Sequence, residues 1–506
     1  MRMQEFFDHH GLKRNPFADE DAQSDPVFKQ VMSSAVFHPA WDKIYGRAED
    51  VSTAIVFGEK GSGKTALRLQ IQEHVEKHNL ENPDSRIFVI QYDDFNPLLD
   101  RFNESKGGGG REALKHWTVW DHMDSILSLG VSTLVDRLTT TGRLGPDDPF
   151  AVDLRRASRM SSQQKRDLLL LSAFYDRSAQ SPFLERWMQL AGRLRYGVAL
   201  ARWPSLVGWA GTALVGFLVV RELLQGDWAT LGGPAFWAGM AALLGASWFM
   251  SLKKQWHVGG VAKRITRNVA VVPRHPRELS TALSCFWESA IHDQPMPTSG
   301  LADVRYQLLA KFQAILRSLG FGGILVLMDR VDEPQLVNGA PEAMRDFVWP
   351  LLDNKLLKHQ GLGFKLLLPI ELSYFLPKES KEFYERSRLD KQNTVRSLEW
   401  SGQALYDMAS ERLTASLPDE KRADGGKLTL RDVIDEDLRT SEIINSLDHL
   451  RVPRHLFKFL YRLFTDHCNT YTSDEPEWRV KDATFQSVLK LYLRDLDAFD
   501  KGYGHG

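Results

Sequence analysis

The most constraining stretch of the chain is Gly58-Glu59-Lys60-Gly61-Ser62-Gly63-Lys64-Thr65, which satisfies G-x-x-x-x-G-K-[ST]. It follows an apolar run, Thr53-Ala54-Ile55-Val56-Phe57, and precedes Ala66-Leu67-Arg68-Leu69-Gln70-Ile71-Gln72, whose apolar residues recur with helical spacing. A strand that turns through glycines straight into a helix belongs in a parallel sheet, because the helix carries the chain back over the sheet face. Further buried-strand runs stand at Ile87-Phe88-Val89-Ile90-Gln91-Tyr92, at Gly322-Gly323-Ile324-Leu325-Val326-Leu327-Met328 and at Phe364-Lys365-Leu366-Leu367-Leu368. Helical patterns separate them, so the expected fold is α/β, a parallel sheet covered by helices, followed from Ser401 by a mostly helical lid.

The glycines of the turn let successive backbone N–H groups face an anion, and the N-terminus of the following helix adds positive potential. This chemistry suits the phosphates of ATP. The expected nucleotide contacts are Gly58, Glu59, Lys60, Gly61, Ser62, Gly63, Lys64, Thr65 and Ala66, with Lys64 on the β and γ phosphates and the Thr65 hydroxyl on Mg²⁺. A second metal ligand is required at the end of a neighbouring strand, and Asp329 closes the run that ends in Met328. Asp332 and Glu333 follow, and either carboxylate is placed to orient or deprotonate the attacking water. Positive charge for the transition state is offered by Arg454, or by Arg386 or Arg388 as a finger.

A second feature is unlike its surroundings. The runs from Trp203 to Val220 and from Ala229 to Leu252 contain no charged residue, and each is close to the roughly 20 residues that cross a bilayer. The connector, residues 221–228, leaves room only for a tight hairpin. Arg186, Arg193, Arg195 and Arg202 precede the pair, and Lys253, Lys254, Lys263, Arg264 and Arg267 follow it. Basic flanks on both outer ends place both in the cytoplasm and the connector outside, giving a multi-pass protein of the inner membrane with its ATPase domain in the cytoplasm. Tryptophans 187, 203, 209, 228, 237, 248 and 256 suit an interfacial belt, and Gly208, Gly211, Gly216, Gly239 and Gly245 suit close helix approach.

A chain of 506 residues exceeds one hydrophobic core. The expected divisions are an irregular N-terminal arm at 1–50 wrapping the nucleotide domain, a first core segment at 51–185, the hairpin with its flanks at 186–267, a second core segment at 268–400 and the lid at 401–506. A net charge of -1 gives no overall attraction to nucleic acid, so none is expected as a partner. Two cysteines, Cys285 and Cys468, support neither a disulfide framework nor a zinc site.

Asp329-Arg330-Val331-Asp332-Glu333 after an apolar strand resembles the extended Walker B of the STAND class of P-loop NTPases, and Tyr45-Gly46-Arg47-Ala48-Glu49 is similar to the Gly-Arg motif that precedes their Walker A. Val452-Pro453-Arg454 is similar to the Pro-Arg of their lid, which implies a nucleotide-sensing role for Arg454. A hairpin between Walker A and Walker B resembles the KAP group, which implies a membrane-anchored signalling or defence ATPase. Asn15-Pro16-Phe17 and Asp25-Pro26-Val27-Phe28 resemble the start of secretion-type AAA+ ATPases. The expectation is a nucleotide-dependent switch that pairs with itself or with another protein. The alternatives are a nucleotide-binding membrane scaffold with little turnover, and a soluble AAA+-like ATPase acting on nucleic acid or protein.

Overall fold

A computed structural model describes residues 1–32, 36–140, 148–177, 181–197, 203–225, 233–287, 291 and 294–500. The protein is α/β, with a five-stranded parallel sheet in the order β2-β3-β4-β1-β5. The strands are β1 (Ala54–Gly58), β2 (Arg86–Tyr92), β3 (Phe321–Met328), β4 (Leu362–Pro369) and β5 (Asn393–Val395). In register, β1 sets Ala54 opposite Lys365 and Gly58 opposite Pro369, while on its other edge Ala54 meets Asn393. All of β1 and β4 is buried, as a parallel strand covered on both faces must be. Burying Ile55, Val56 and Phe57 contributes about 1.5–3 kcal/mol each.

The chain forms two compact units. The first comprises residues 1–82, 325–348 and 352–506, and the second residues 83–324 and 349–351. In the first, α1 (Met3–His9), α2 (Pro26–Val31) and α3 (Trp41–Tyr45) precede β1, and α4 (Lys64–Glu81) follows it. The N-terminal arm is more regular than the sequence suggests, and while α3 packs on β1 and β5 its first part lies elsewhere. It contains these three short helices, and Phe6, Phe7, Leu12 and Phe17 are buried in the core of the C-terminal helices. The Phe6 and Phe464 rings lie 5.6 Å apart. The Arg412 guanidinium accounts for the path of the next stretch, since it lies 2.6 Å from Asp25 and donates to the Pro16 carbonyl, all beneath the surface.

In the second unit the buried helix α5 (Val119–Thr139) packs with α6 (Ser162–Tyr175), α7 (Phe183–Arg193) and α10 (Ala302–Ser318). The interior is not purely apolar. Asp124 and Arg305, both fully buried, pair at 3.1 Å, and the Tyr175 hydroxyl donates to Asp124 at 2.7 Å. An ion pair with this burial persists because its remaining hydrogen-bonding capacity is used.

Two helices of this unit, α8 (Trp203–Gln225) and α9 (Pro234–Asn268), are long and apolar enough to cross a membrane. They pack on each other, and the Trp248 indole N–H donates to the Thr212 hydroxyl at 3.0 Å. Gly208 and Gly211 permit this approach, since a Cβ on Gly208 would meet the Trp248 ring at 2.7 Å and one on Gly211 would meet Ser247 at 2.4 Å. A Cβ on Gly216, Gly239 or Gly245 would meet nothing within 4 Å among the described residues, so these glycines do not serve that contact. The apolar outer faces are open, with Leu206, Trp209, Phe217 and Phe249 all 64–65% exposed.

Residues 221–225 belong to α8 rather than to a connector, and residues 226–232 with Trp228, like Arg202 and the Trp203 side chain, lie outside the described residues. Arg186 is no membrane flank, because it is buried against Asp176 at 2.8 Å and Asp136 at 2.6 Å. Trp187 is buried too, its indole donating to the Leu169 carbonyl. Beyond Leu252, α9 runs on through the basic flank to Asn268, with Val258, Val261, Ala262 and Ile265 buried.

Candidate functional site

The sequence that turns β1 into α4 does so with two glycines in the left-handed region, Gly61 at φ 92° and Gly63 at φ 91°. Side-chain-bearing residues rarely adopt that conformation, so the turn depends on them. Gly61 is doubly constrained, because a Cβ there would lie 2.5 Å from the Arg454 Cβ. The Arg454 main-chain N–H donates to the Gly61 carbonyl at 3.3 Å, and the Trp400 indole donates to the Ser62 carbonyl at 2.9 Å. Two residues of the C-terminal helical region thus hold the outside of the loop.

Inside the loop, Lys64 Nζ donates to the carbonyls of Gly58 at 2.8 Å and Glu59 at 3.0 Å. It contacts no carboxylate within 4 Å among the described residues, and burial lowers its pKa against the opposing pull of Asp329, Asp332 and Glu371. A buried ammonium held by carbonyls and facing acids at longer range is a cation short of a close anion. The Ser62 hydroxyl, also buried, has no hydrogen-bond partner among the described residues.

At the end of β3, Asp329 is 2% exposed and receives the Thr65 hydroxyl at 2.9 Å. Its other oxygen accepts the Arg330 main-chain N–H at 2.9 Å, and the Arg68 guanidinium lies 3.6 Å away. Burial raises the Asp329 carboxyl pKa, while Thr65, Arg68 and the Arg330 N–H act the other way. A serine-type hydroxyl beside a carboxylate is a hard-oxygen donor pair of the kind that suits Mg²⁺. Arg330 adopts a left-handed φ of 60° that ends the strand sharply, and its side chain lies 3.7 Å from Glu333. Glu333 is raised by burial and by Asp332, Asp329 and Asp21, with Arg330 opposing.

These groups border one cavity of about 430 Å³ within the first unit. That size lies in the range of small-molecule sites. Lys60, Gly61, Gly63, Lys64, Thr65 and Ala66 line it, as do Asp329, Asp332, Glu333 and Arg454. Gly58, Glu59 and Ser62 form the loop behind that lining. Arg386 and Arg388 do not line it; Arg388 lies 3.5 Å from Asp390, and Arg386 sits over the Phe383 ring.

The cavity also contains residues that sequence reasoning passed over. Glu371 follows the end of β4, the strand between β1 and β3, and the apolar run closing in Pro369-Ile370-Glu371 was a usable signal. Glu20 lies 3.3 Å from Arg454 and 3.8 Å from Lys458. Gln70 and Trp400 are lining residues without a local signal in the sequence.

No protein-family model, curated protein or solved structure matches this chain.

Proposed function

We propose that the protein is a membrane-anchored, cytoplasm-facing P-loop ATPase that uses Mg²⁺-ATP as a switch, akin to the KAP group of the STAND class. The observation that carries the reading is the 2.9 Å hydrogen bond from Thr65 at the start of α4 to Asp329 at the end of β3, beside the anion-poor Lys64. The strand order supports it, since the phosphate loop follows β1, Asp329 follows β3, and β4 lies between them.

Lys64 would leave the carbonyls of Gly58 and Glu59 for the β and γ phosphates, with the loop N–H groups and the α4 terminus completing the cradle. Thr65 and Asp329 would hold Mg²⁺, which supplies neutralisation of the phosphate charge. A carboxylate, Asp332 or Glu333, orients the water that attacks the γ phosphorus and takes its proton as the bond to the β-bridging oxygen breaks. The raised Glu333 pKa favours that proton acceptance. Arg454 in the first turn of the helix Pro453–Thr470 would stabilise the developing charge. Because its main chain is bonded to Gly61, loss of the γ phosphate alters the purchase of the helical lid on the loop, which is a switch in two states.

The helices α8 and α9 would cross the bilayer, with Arg193, Arg195, Lys253, Lys254, Lys263, Arg264 and Arg267 on the cytoplasmic side. Steady-state hydrolysis by the detergent-purified protein tests the enzyme. Turnover that needs Mg²⁺, vanishes in Lys64→Ala and falls at least about 100-fold in Glu333→Gln or Asp332→Asn agrees with it. Equal turnover in wild type and Lys64→Ala refutes it.

A further inference from the structure

The cavity has a second region that phosphate chemistry does not use. Gln70 lies on α4 five residues beyond Thr65, about 7.5 Å farther along the axis at 1.5 Å per residue. Its side chain is 5% exposed, lines the cavity and makes no hydrogen bond among the described residues. An amide that lines a cavity without a side-chain partner among the described residues offers a ligand both a donor and an acceptor. The apolar lining of the same cavity includes Phe28 and Val31 of α2, Val36, Leu67 one turn back from Gln70 on α4, and Met408 of α11 (Gly402–Ala415). The cavity therefore offers apolar wall together with a neutral reading group, Gln70, set back from the phosphate loop.

Two of the carboxylates that line the cavity apart from the phosphate loop are already engaged. Asp25 accepts the Val27 N–H at 2.8 Å and pairs with Arg412, and Glu411 accepts the Val36 N–H at 2.8 Å. A guanine edge presents the O6 acceptor and two adjacent donors, N1–H and N2–H, so a single amide leaves the N2–H donor unmet, whereas a free carboxylate would take both donors. An adenine edge presents the N6 donor beside a ring-nitrogen acceptor, which one amide matches in both bonds.

We infer that this region is a nucleobase subsite in which the Gln70 amide reads the donor–acceptor edge of adenine and sets a preference for ATP over GTP. The inference rests on the phosphate-site reading, and the two fail differently. Calorimetric binding of the β,γ-imido analogues of ATP and GTP to the full-length, detergent-purified protein tests it. Wild type binds the adenine analogue at least about tenfold tighter. Gln70→Leu weakens the adenine analogue about tenfold and leaves the guanine analogue within about twofold. Gln70→Glu, nearly isosteric and so the control if the leucine variant misfolds, shifts the ratio toward guanine. An unchanged ratio in both variants overturns the subsite. Equal affinity of wild type for the two analogues, both weakened by Lys64→Ala, also overturns it and leaves the phosphate site standing. Binding of neither analogue by wild type overturns both.

Discussion

Lys365 gives the first unit a pH dependence that can be worked out from its surroundings. It lies on β4, 1% exposed, and its Nζ donates to the carbonyls of Ile44 at 2.7 Å and Tyr45 at 3.0 Å and to the Ser52 hydroxyl at 3.1 Å. These are the last carbonyls of α3, so the lysine caps that helix from inside the protein. Among the described residues no carboxylate pairs with it, and burial lowers its pKa from 10.5 to about 7. A group with a depressed lysine pKa binds more protons when unfolded, so stability rises with pH between about 7 and 10.5 and is lost as pH falls toward 7. Between pH 7.5 and 9.5 the gain is about 2.5 kcal/mol. Guanidinium unfolding of wild type and Lys365→Met, compared at each pH, isolates the term. The methionine variant loses the cap at every pH, but the difference between the two proteins grows by about 2.5 kcal/mol in favour of wild type across that interval. Parallel pH profiles would refute the reasoning.

Gly61→Ala places a Cβ 2.5 Å from the Arg454 Cβ at a φ of 92°, so it is expected to cost about 1–2 kcal/mol in strain and to weaken ATP binding, with helix content by circular dichroism unchanged. Arg305→Met strands the buried Asp124 and is expected to destabilise the second unit by about 3–5 kcal/mol in denaturant unfolding, with much of the loss recovered in the Arg305→Met, Asp124→Leu double variant. Gly211→Leu must part α8 from α9, whereas Gly216→Leu has nothing within 4 Å to displace, so only the former is expected to lower thermal stability in detergent.

The strands of the sheet were readable where their signal was strong. The apolar runs read at 53–57, 87–92, 322–328 and 364–368 fall in strands at 54–58, 86–92, 321–328 and 362–369, because covered parallel strands are hydrophobic on both faces. β5 is three residues on an edge, Asn393, Thr394 and Val395, too short and too polar for a periodic signal. The pairing of Thr65 with the distant Asp329 was expected from the spacing of glycines and acids, and the two are hydrogen-bonded at 2.9 Å. The seating of Phe6 and Phe7 in the C-terminal core was not, since it depends on contacts with residues more than 400 positions away, among them Phe464. Arg186 shows the same limit from the other side. As a basic residue before an apolar run it reads as a flank, and only the fold brings Asp176 and Asp136 to it.

The most direct test of the account is the Mg²⁺ dependence of ATP affinity in wild type, Asp329→Asn and Lys64→Ala, measured by calorimetry. Thr65 and Asp329 as joint metal ligands, with Lys64 on the phosphates, predict that Mg²⁺ tightens binding to wild type at least about tenfold and has little effect on Asp329→Asn, while Lys64→Ala binds weakly under both conditions. The same affinity in all three proteins, indifferent to Mg²⁺, would contradict it.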